Sequence, residues 1–268
     1  MPRVRAAAWI ALLFWGTGNP AAAQPNPFPD AASAYLVKAG NAVLWERAAD
    51  KQLPPASLTK LMTALLVIEH YDPRAAVTVK RAAAAETGTR LRLRAGERLR
   101  AADLLAAMLI ASANDACHAL ADHVAGSESR FVVLMNRRAR EWGLRDTHFV
   151  NACGHDAPEH HSSARDIAAM AERAIVLPVF AQLVGTAAAD IATADGARKF
   201  HLVNRNALIG RYPGAVGIKS GYTPGAGKCL VALAERGGRS VLLVLLNASD
   251  RWWGATDMLD LAFERYPS

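Results

Sequence analysis

Cysteine and aromatic residues are scarce in this sequence, and internal repeats are absent. Only three cysteines, Cys117, Cys153 and Cys229, occur in 268 residues, and aromatic residues make up 7% of the chain. Three cysteines cannot all pair within one chain and none shows metal-ligand spacing, which excludes a disulfide scaffold and a cysteine zinc site. One bridge is possible in an oxidising compartment, but we expect three small buried thiols.

The histidines show no grouping that indicates a metal centre. The sequence has eight of them, and only His160 and His161 are neighbours. Adjacent side chains on an extended chain point in opposite directions, so this pair is a poor start for a zinc site. We therefore predict no metal.

Long apolar runs are also missing, although 52% of the residues are hydrophobic and 21% are charged, as in a folded protein. The N-terminal apolar stretch, Ala6 to Trp15, is shorter than the roughly 20 residues that a membrane span needs. Arg3 and Arg5 precede it and small residues up to Ala23 follow, which is the order of a secretory signal peptide. We expect cleavage after Ala23, export to the periplasm or the medium, and a mature chain of residues 24–268.

The charge balance is mildly basic. The formal net charge of +7 becomes +5 when Arg3 and Arg5 are removed, because residues 1–23 carry no acid. Such a dispersed charge is compatible with an anionic polymer as partner but does not indicate nucleic-acid binding. The densest basic segment, Arg90 to Arg100, alternates arginine with leucine and predicts a half-exposed hairpin.

The pattern of apolar residues predicts strands at both ends of the chain and helices between them. A hairpin is expected from Ala32 to Glu46 around Gly40. The predicted helices are Ser57 to His70, a segment ending near Ile110, Cys117 to Val124, Glu128 to Trp142, Ser163 to Ile175 and Trp253 to Arg265. The predicted late strands are Gly217 to Ser220, Cys229 to Glu235 and Ser240 to Asn247. One sheet built from both termini, with a helical lobe inserted, is the α+β arrangement that follows.

A candidate nucleophile and base begin the first long helix. Ser57 and Lys60 are three residues apart, so their side chains project from neighbouring positions of one face. A serine hydroxyl needs a base to take its proton, and a lysine can do this when burial or nearby positive charge lowers its pKa. The alternative is a helix-capping serine followed by an ordinary surface lysine.

Two further fragments strengthen the catalytic interpretation. Ser112 and Asn114 interrupt two apolar helices, and Lys219, Ser220 and Gly221 lie on a predicted strand whose glycine admits a substrate backbone. With Ser57 and Lys60 they occur in the order S-x-x-K, S-x-N and K-[ST]-G, the set found in penicillin-recognising enzymes.

The sequence resembles the low-molecular-mass penicillin-binding proteins that act as D-alanyl-D-alanine carboxypeptidases. The resemblance is carried by PASLTKLMTALLVIE (55–69), LLAAMLIASANDA (104–116), HHSSARDIAAMA (160–171) and GIKSGYTPGAGKCLVA (217–232). It implies a β-lactamase/DD-peptidase-like α+β fold, in which an antiparallel sheet flanked by helices and a mostly helical lobe enclose the active site in a cleft. It implies no cofactor.

The resemblance also implies the catalytic roles. Ser57 attacks the carbonyl of the penultimate D-alanine of a peptidoglycan stem peptide, and Lys60 accepts its proton. Ser112 relays a proton to the leaving D-alanine, and water then releases the acyl group. β-Lactam antibiotics acylate Ser57 as substrate mimics.

Substrate-binding roles follow in the same way. Asn114 binds the substrate amide, while Lys219 and Ser220 bind the terminal carboxylate, beside which Arg251 is also expected. The backbone N–H groups of Ser57 and Tyr222 form the oxyanion hole.

The sequence departs from the family in three places. Ser220 replaces the more usual threonine, and NACGH (151–155) departs from the expected asparagine-proline-x-glycine pattern, which leaves the geometry of that loop open. No C-terminal β domain or amphipathic membrane anchor is evident, so a freely soluble exported enzyme is expected.

Three other functions are alternatives to this interpretation. An endopeptidase that cuts D-alanyl cross-links uses the same acyl-enzyme chemistry, and the motifs do not separate it from a carboxypeptidase. A serine β-lactamase needs a base for deacylation, and Glu159 lacks the E-x-x-L-N context of that base. A non-catalytic penicillin sensor is disfavoured because no attached transmembrane transducer is evident.

Overall fold

A five-stranded antiparallel sheet forms the centre of the molecule. The computed structural model describes residues 26–70 and 72–266, so the predicted signal peptide lies outside the described residues. The sheet has the order β2-β1-β9-β8-β7. Its strands are β1 (Ala32–Ala39), β2 (Ala42–Arg47), β7 (Ala215–Thr223), β8 (Gly227–Arg236) and β9 (Arg239–Ala248). Strand β1 pairs with β9, which confirms that the two ends of the sequence build one sheet.

Helices cover both faces of this sheet. They are α1 (Lys60–Glu69), α2 (Arg81–Ala84), α3 (Ala101–Ile110), α4 (Asn114–Ala125), α5 (Glu128–Glu141), α6 (Ala164–Ile175), α7 (Pro178–Gly185) and α8 (Arg251–Arg265). Helix α8 packs on one face, where Tyr35 and Leu243 are buried. Helix α6 packs on the other, where Leu36 and Val244 join the core of the helical lobe. Neighbouring strand residues thus enter opposite cores, as the alternation of a strand requires.

Two short hairpins were not predicted correctly. Arg90 to Arg100 is not a hairpin, because only Arg98–Arg100 forms a strand (β4), which pairs with β3 (Ala76–Thr78). The backbone N–H groups of Leu91 and Leu93 instead donate to the buried carboxylate of Asp115. A second hairpin, formed by β5 (Ala188–Ala192) and β6 (Lys199–Val203), was not predicted from the sequence.

A disulfide contradicts the expectation of three free thiols. Cys117 on α4 is bonded to Cys153, 36 residues further along the chain, whereas Cys229 is free and buried. The expectation was wrong because it rested on spacing along the sequence, while the pairing depends on how the loop 151–155 packs against α4.

Within the described residues, no single helix has the length and apolar character of a membrane span. Helices α6 and α7 together have the length and composition of a membrane span, but they meet at a bend of 106°.

Candidate active site

Ser57 lies on a 3₁₀ turn, Ala56–Thr59, that leads directly into α1. Lys60 is the first residue of α1 and is fully buried, so its ammonium group cannot reach bulk water. Lys60 Nζ lies 3.1 Å from Ser57 Oγ. The predicted pair is therefore in contact, and the interpretation of Lys60 as an ordinary surface lysine is wrong.

Two further acceptors fix the Lys60 amine. Nζ donates to Asn114 Oδ1 at 2.8 Å and to the backbone carbonyl of Cys153 at 2.6 Å. Burial lowers the pKa of Lys60 to about 7, while the negative charge of Glu86 acts in the opposite direction. A lysine with this pKa is substantially neutral near pH 7 and can accept a proton from the adjacent serine.

The bend between α3 and α4 places Ser112 and Asn114. Ser112 has a φ of +60°, a left-handed conformation that turns the chain sharply between the two helices. The Asn114 side chain donates from Nδ2 to the carbonyl of Thr87 at 2.7 Å, which orients Oδ1 toward Lys60. Helix α4 begins at Asn114, three residues earlier than predicted.

Lys219 connects the strand side of the site to this bend. It is buried on β7, and its Nζ donates to Ser112 Oγ at 2.8 Å and to the Ser220 carbonyl at 2.9 Å. Burial lowers the pKa of Lys219 well below its usual value, and the positive charges of Lys60, Arg205 and Arg251 lower it further. Both motif lysines thus contact motif serines.

A cleft of about 460 Å³ opens over these groups. Ser57, Ser112, Ser220, Gly221, Tyr222 and Arg251, all predicted site residues, line it. Lys60, Asn114 and Lys219 lie beneath its wall, in contact with those residues or with one another. A larger cavity, about 840 Å³, lies between segments 94–98 and 193–198 and contains none of the predicted residues. We place the candidate site in the smaller cleft for that reason.

Gly221 lets β7 approach the serine closely. A Cβ atom at Gly221 would lie 2.9 Å from the Ser57 backbone nitrogen. The next residue, Tyr222, is 63% exposed at the cleft. The Arg251 guanidinium donates to the Gly221 carbonyl at 2.5 Å and thereby lies at the same end of the cleft.

Arg205 is a cleft residue that the sequence analysis did not identify. It is exposed at the cleft wall, and its carbonyl accepts a hydrogen bond from Ser220 Oγ at 3.1 Å. It follows the β5–β6 hairpin, which was also missed, and an isolated arginine in a segment of unassigned structure carries no signal of its own.

The loop 151–155 contacts the serine turn despite its unusual sequence. Asn151 Oδ1 accepts hydrogen bonds from the backbone N–H groups of Cys153, Gly154 and His155. Gly154 has a φ of +89°, and a Cβ there would lie 1.9 Å from the Ala56 carbonyl oxygen. The asparagine and the glycine of the expected pattern are therefore present and make these contacts, and alanine replaces the proline.

A carboxylate–histidine group lies behind the site. Glu86 accepts hydrogen bonds from His118 Nδ1 and His155 Nε2, both at 2.7 Å. Burial alone would raise the pKa of Glu86, but these bonds lower it to about 2. Glu86, His118 and Glu128 are close enough to hold a cation. Because both oxygens of Glu86 already have histidine partners, we assign the group as a hydrogen-bonded network.

The chain is similar to known proteins over most of its length. Residues 20–250 match the family described as D-alanyl-D-alanine carboxypeptidase. The carboxypeptidase DacF of Bacillus subtilis is 38% identical over 246 residues, which are 88% of this chain and 63% of that protein. The chain thus spans less than two thirds of the length of this relative.

Solved structures have the same fold. The D-alanyl-D-alanine carboxypeptidase of Mycobacterium tuberculosis superposes with a TM-score of 0.84 at 30% identity, covering 93% of this chain and 97% of that one. A mutant DD-transpeptidase from Streptomyces superposes with a TM-score of 0.83 at 30% identity, covering 88% and 98%. The predicted DD-peptidase-like α+β fold is confirmed. The match to the family covers well over half of the sequence, and the chain belongs to the D-alanyl-D-alanine carboxypeptidase family.

Proposed function

We propose that this chain is a serine-type D-alanyl-D-alanine carboxypeptidase that removes the terminal D-alanine of peptidoglycan stem peptides through an acyl-enzyme on Ser57. The observation that carries the proposal is the contact of Lys60 Nζ with Ser57 Oγ, 3.1 Å apart at the floor of an open cleft. Family membership supports the same reaction class.

Acylation begins when Ser57 Oγ attacks the carbonyl carbon of the penultimate D-alanine and Lys60 takes the hydroxyl proton. The backbone N–H groups of Ser57 and Tyr222 stabilise the oxyanion, and the close approach of Gly221 to the Ser57 nitrogen supports their proximity. The C–N bond then breaks, and Ser112 passes a proton to the leaving nitrogen. The hydrogen bond from Lys219 to Ser112 supports that relay.

Deacylation reverses these roles. A water molecule attacks the ester carbonyl, loses a proton to the same base system, and frees Ser57 as its hydroxyl regains a proton. The sum of the two steps is hydrolysis of one peptide bond, and no metal or cofactor takes part in it.

The strand side of the cleft supports recognition of the terminal carboxylate. Ser220 supplies a hydroxyl and Lys219 a buried amine there, and Arg251 and Arg205 are two cations at the cleft wall. Asn114 accepts from Lys60 through Oδ1 and donates one N–H of Nδ2 to Thr87, so the second N–H of Nδ2 binds the carbonyl of the substrate amide.

The proposal also includes export of the protein and its reaction with β-lactams. Residues 1–23 act as a signal peptide and residues 24–268 as the catalytic domain, which places the enzyme where its substrate is found. β-Lactams acylate Ser57. The endopeptidase alternative is not supported by the relatives described above, whose names are those of carboxypeptidases and a transpeptidase.

The test uses the mature chain and two serine variants. After incubation with penicillin, the intact mass of the mature chain should increase by one adduct, and D-alanine should be released from a pentapeptide. Ser57→Ala should do neither, whereas Ser129→Ala, at an exposed serine of α5, should do both. An adduct on the Ser57→Ala variant contradicts the assignment.

A second substrate separates the alternatives. We expect hydrolysis of the pentapeptide to exceed cleavage of a cross-linked dimeric muropeptide. Preferred cleavage of the dimer would establish the endopeptidase instead. Transfer of the acyl group to an added amino-acid amine, at the expense of hydrolysis, would establish a transpeptidase.

A further inference from the structure

The disulfide connects the two structural elements that hold the Lys60 amine. Cys117 is the third residue after Asn114 on α4, and Cys153 is the residue whose carbonyl faces Lys60. Two of the three hydrogen bonds of Lys60 Nζ therefore end on segments that the Cys117–Cys153 bond joins covalently. Both sulfur-bearing residues are at most 1% exposed, so the bond lies inside the protein.

The loop that carries Cys153 is connected to α4 by a polar bridge as well as by the disulfide, since Glu86 accepts hydrogen bonds from His155 of the loop and from His118 of α4. Asn151 organises it from within, since the three bonds that Asn151 Oδ1 accepts come from residues 153–155. The Ala152 carbonyl accepts from Thr63 on α1 at 2.6 Å, and Gly154 abuts the Ala56 carbonyl. These contacts connect the loop with the serine turn and α1. The covalent connection to α4, and so to Asn114, is the disulfide.

We propose that the Cys117–Cys153 disulfide is a positioning element for proton transfer from Ser57 to Lys60, because it holds the Cys153 carbonyl and Asn114 at a fixed separation around the lysine amine. The inference rests on the proposed function. A base positioned by two acceptors keeps its amine directed at the serine, and a displacement of about 1 Å in such a group can reduce the rate about 100-fold. Loss of the bond also loosens the packing that keeps water from Lys60.

The first measurement establishes the bond. Mature protein from an oxidising compartment is denatured, alkylated and weighed. We expect one alkyl group, on Cys229, without a reductant and three after reduction. Three groups on the unreduced protein would mean that the bond does not form, and the proposal would fail at once.

The second measurement compares three alanine variants with a matched control. Cys117→Ala, Cys153→Ala and the double variant each remove the same single bond, so all three should slow penicillin acylation of Ser57 by the same factor, at least about tenfold. Cys229→Ala makes the same substitution at a buried cysteine without a bond and should acylate at the wild-type rate. Unequal effects that add in the double variant would contradict a shared bond.

The pH profile separates positioning from plain stabilisation. If water reaches Lys60, its pKa rises toward the usual lysine value, and the acidic limb of the acylation profile moves to higher pH in the variants. A structural bond alone would lower the melting temperature and leave the rate and the profile at 25 °C unchanged. That outcome, or failure of both the variants and the reduced wild type to fold, assigns the bond to stability and overturns the proposal.

Acylation by penicillin is used so that the two proposals fail separately. If the oxidised wild type is acylated but releases no D-alanine from the pentapeptide, the proposed function fails while the effect of the disulfide on Lys60 can still be measured. If D-alanine is released and the variants acylate normally with an unchanged profile, only the positioning proposal fails.

Discussion

The two buried lysines of the cleft have opposite surroundings. Lys60, on the helical side, donates to three oxygens and lies in the field of the Glu86 carboxylate. Lys219, on the strand side, lies in the field of Lys60, Arg205 and Arg251, all of them cations. The protein thus compensates the charge of Lys60 itself but concentrates positive charge around Lys219. This difference supports the proposed roles, a base on the helical side and the binding of an anion on the strand side.

Replacement of the helical-side lysine should have the largest effect. Lys60→Met removes the proton acceptor, so kcat/KM for a pentapeptide and the rate of penicillin acylation should both fall by about 10³-fold. Lys51→Met, at an exposed lysine, should leave both rates unchanged. Acylation of the Lys60→Met variant at the wild-type rate would remove Lys60 from the mechanism and with it the contrast between the two lysines.

The close packing on the helical side of the cleft should affect the free energy of unfolding. Gly154→Ala places a methyl group against the Ala56 carbonyl, whereas Gly96 has the same φ of +89° and open space around it. Gly154→Ala should therefore lower the free energy of unfolding by about 1–3 kcal/mol more than Gly96→Ala. Urea unfolding of both variants measures the difference. Equal losses would show that backbone conformation alone requires glycine at position 154.

Residues on the strand side of the cleft should affect substrate binding rather than the rate of the chemical step. Arg251→Met removes one of the cations near the carboxylate end, so KM for a pentapeptide should rise about tenfold while kcat changes little. The exposed Arg145→Met variant controls for loss of an arginine charge. With a pentapeptide whose terminus is amidated, the difference between Arg251→Met and wild type should disappear. A fall in kcat with constant KM would instead move Arg251 to the catalytic side of the comparison.

The smallest expected effect is a shift in the pH dependence of acylation. Lys60 accepts a proton only when neutral, so with a pKa of about 7 acylation should be lost as the pH falls below that value. Glu86 raises the pKa of Lys60, and Glu86→Gln should therefore move the acidic limb to lower pH by less than about one unit.

A matched carboxylate serves as control for the pH prediction. Glu97 is comparably buried and paired with Arg198, away from the cleft. Glu97→Gln should leave the midpoint of the limb in place. A midpoint that moves to higher pH in Glu86→Gln, or equally in both variants, would show that the Glu86 charge does not set the pKa of Lys60.

The sequence allowed the fold class and the motif residues to be predicted because the patterns of strands and helices are local and because the three motifs resemble those of a known family in their order. The spacing of Ser57 and Lys60 on one helix, and the break at Ser112, determine neighbouring geometry directly. The apolar runs of β8 and β9 are long and continuous because each strand is buried on both faces. These features needed no knowledge of which distant segments meet.

The remaining parts of the site depend on contacts between distant segments. The Cys153 carbonyl is a backbone atom, so no residue type signals its contact with Lys60. Pairing of Cys117 with Cys153 and the partners of Glu86 likewise arise from packing across the helical lobe. The basic segment Arg90 to Arg100 was predicted as a hairpin because arginine and leucine alternate in it, but the backbone N–H groups of Leu91 and Leu93 donate to the carboxylate of Asp115 instead.

The position of β9 between β1 and β8 has a consequence for how the chain folds. Ala32 pairs with Ala248, so the first strand of the sheet must wait until more than 200 further residues have emerged before its central neighbour exists. Until then, β1 and β2 form a two-stranded hairpin, which is marginally stable in water. Such long-range pairing slows folding, so the central sheet is completed only after nearly the whole chain has been synthesised.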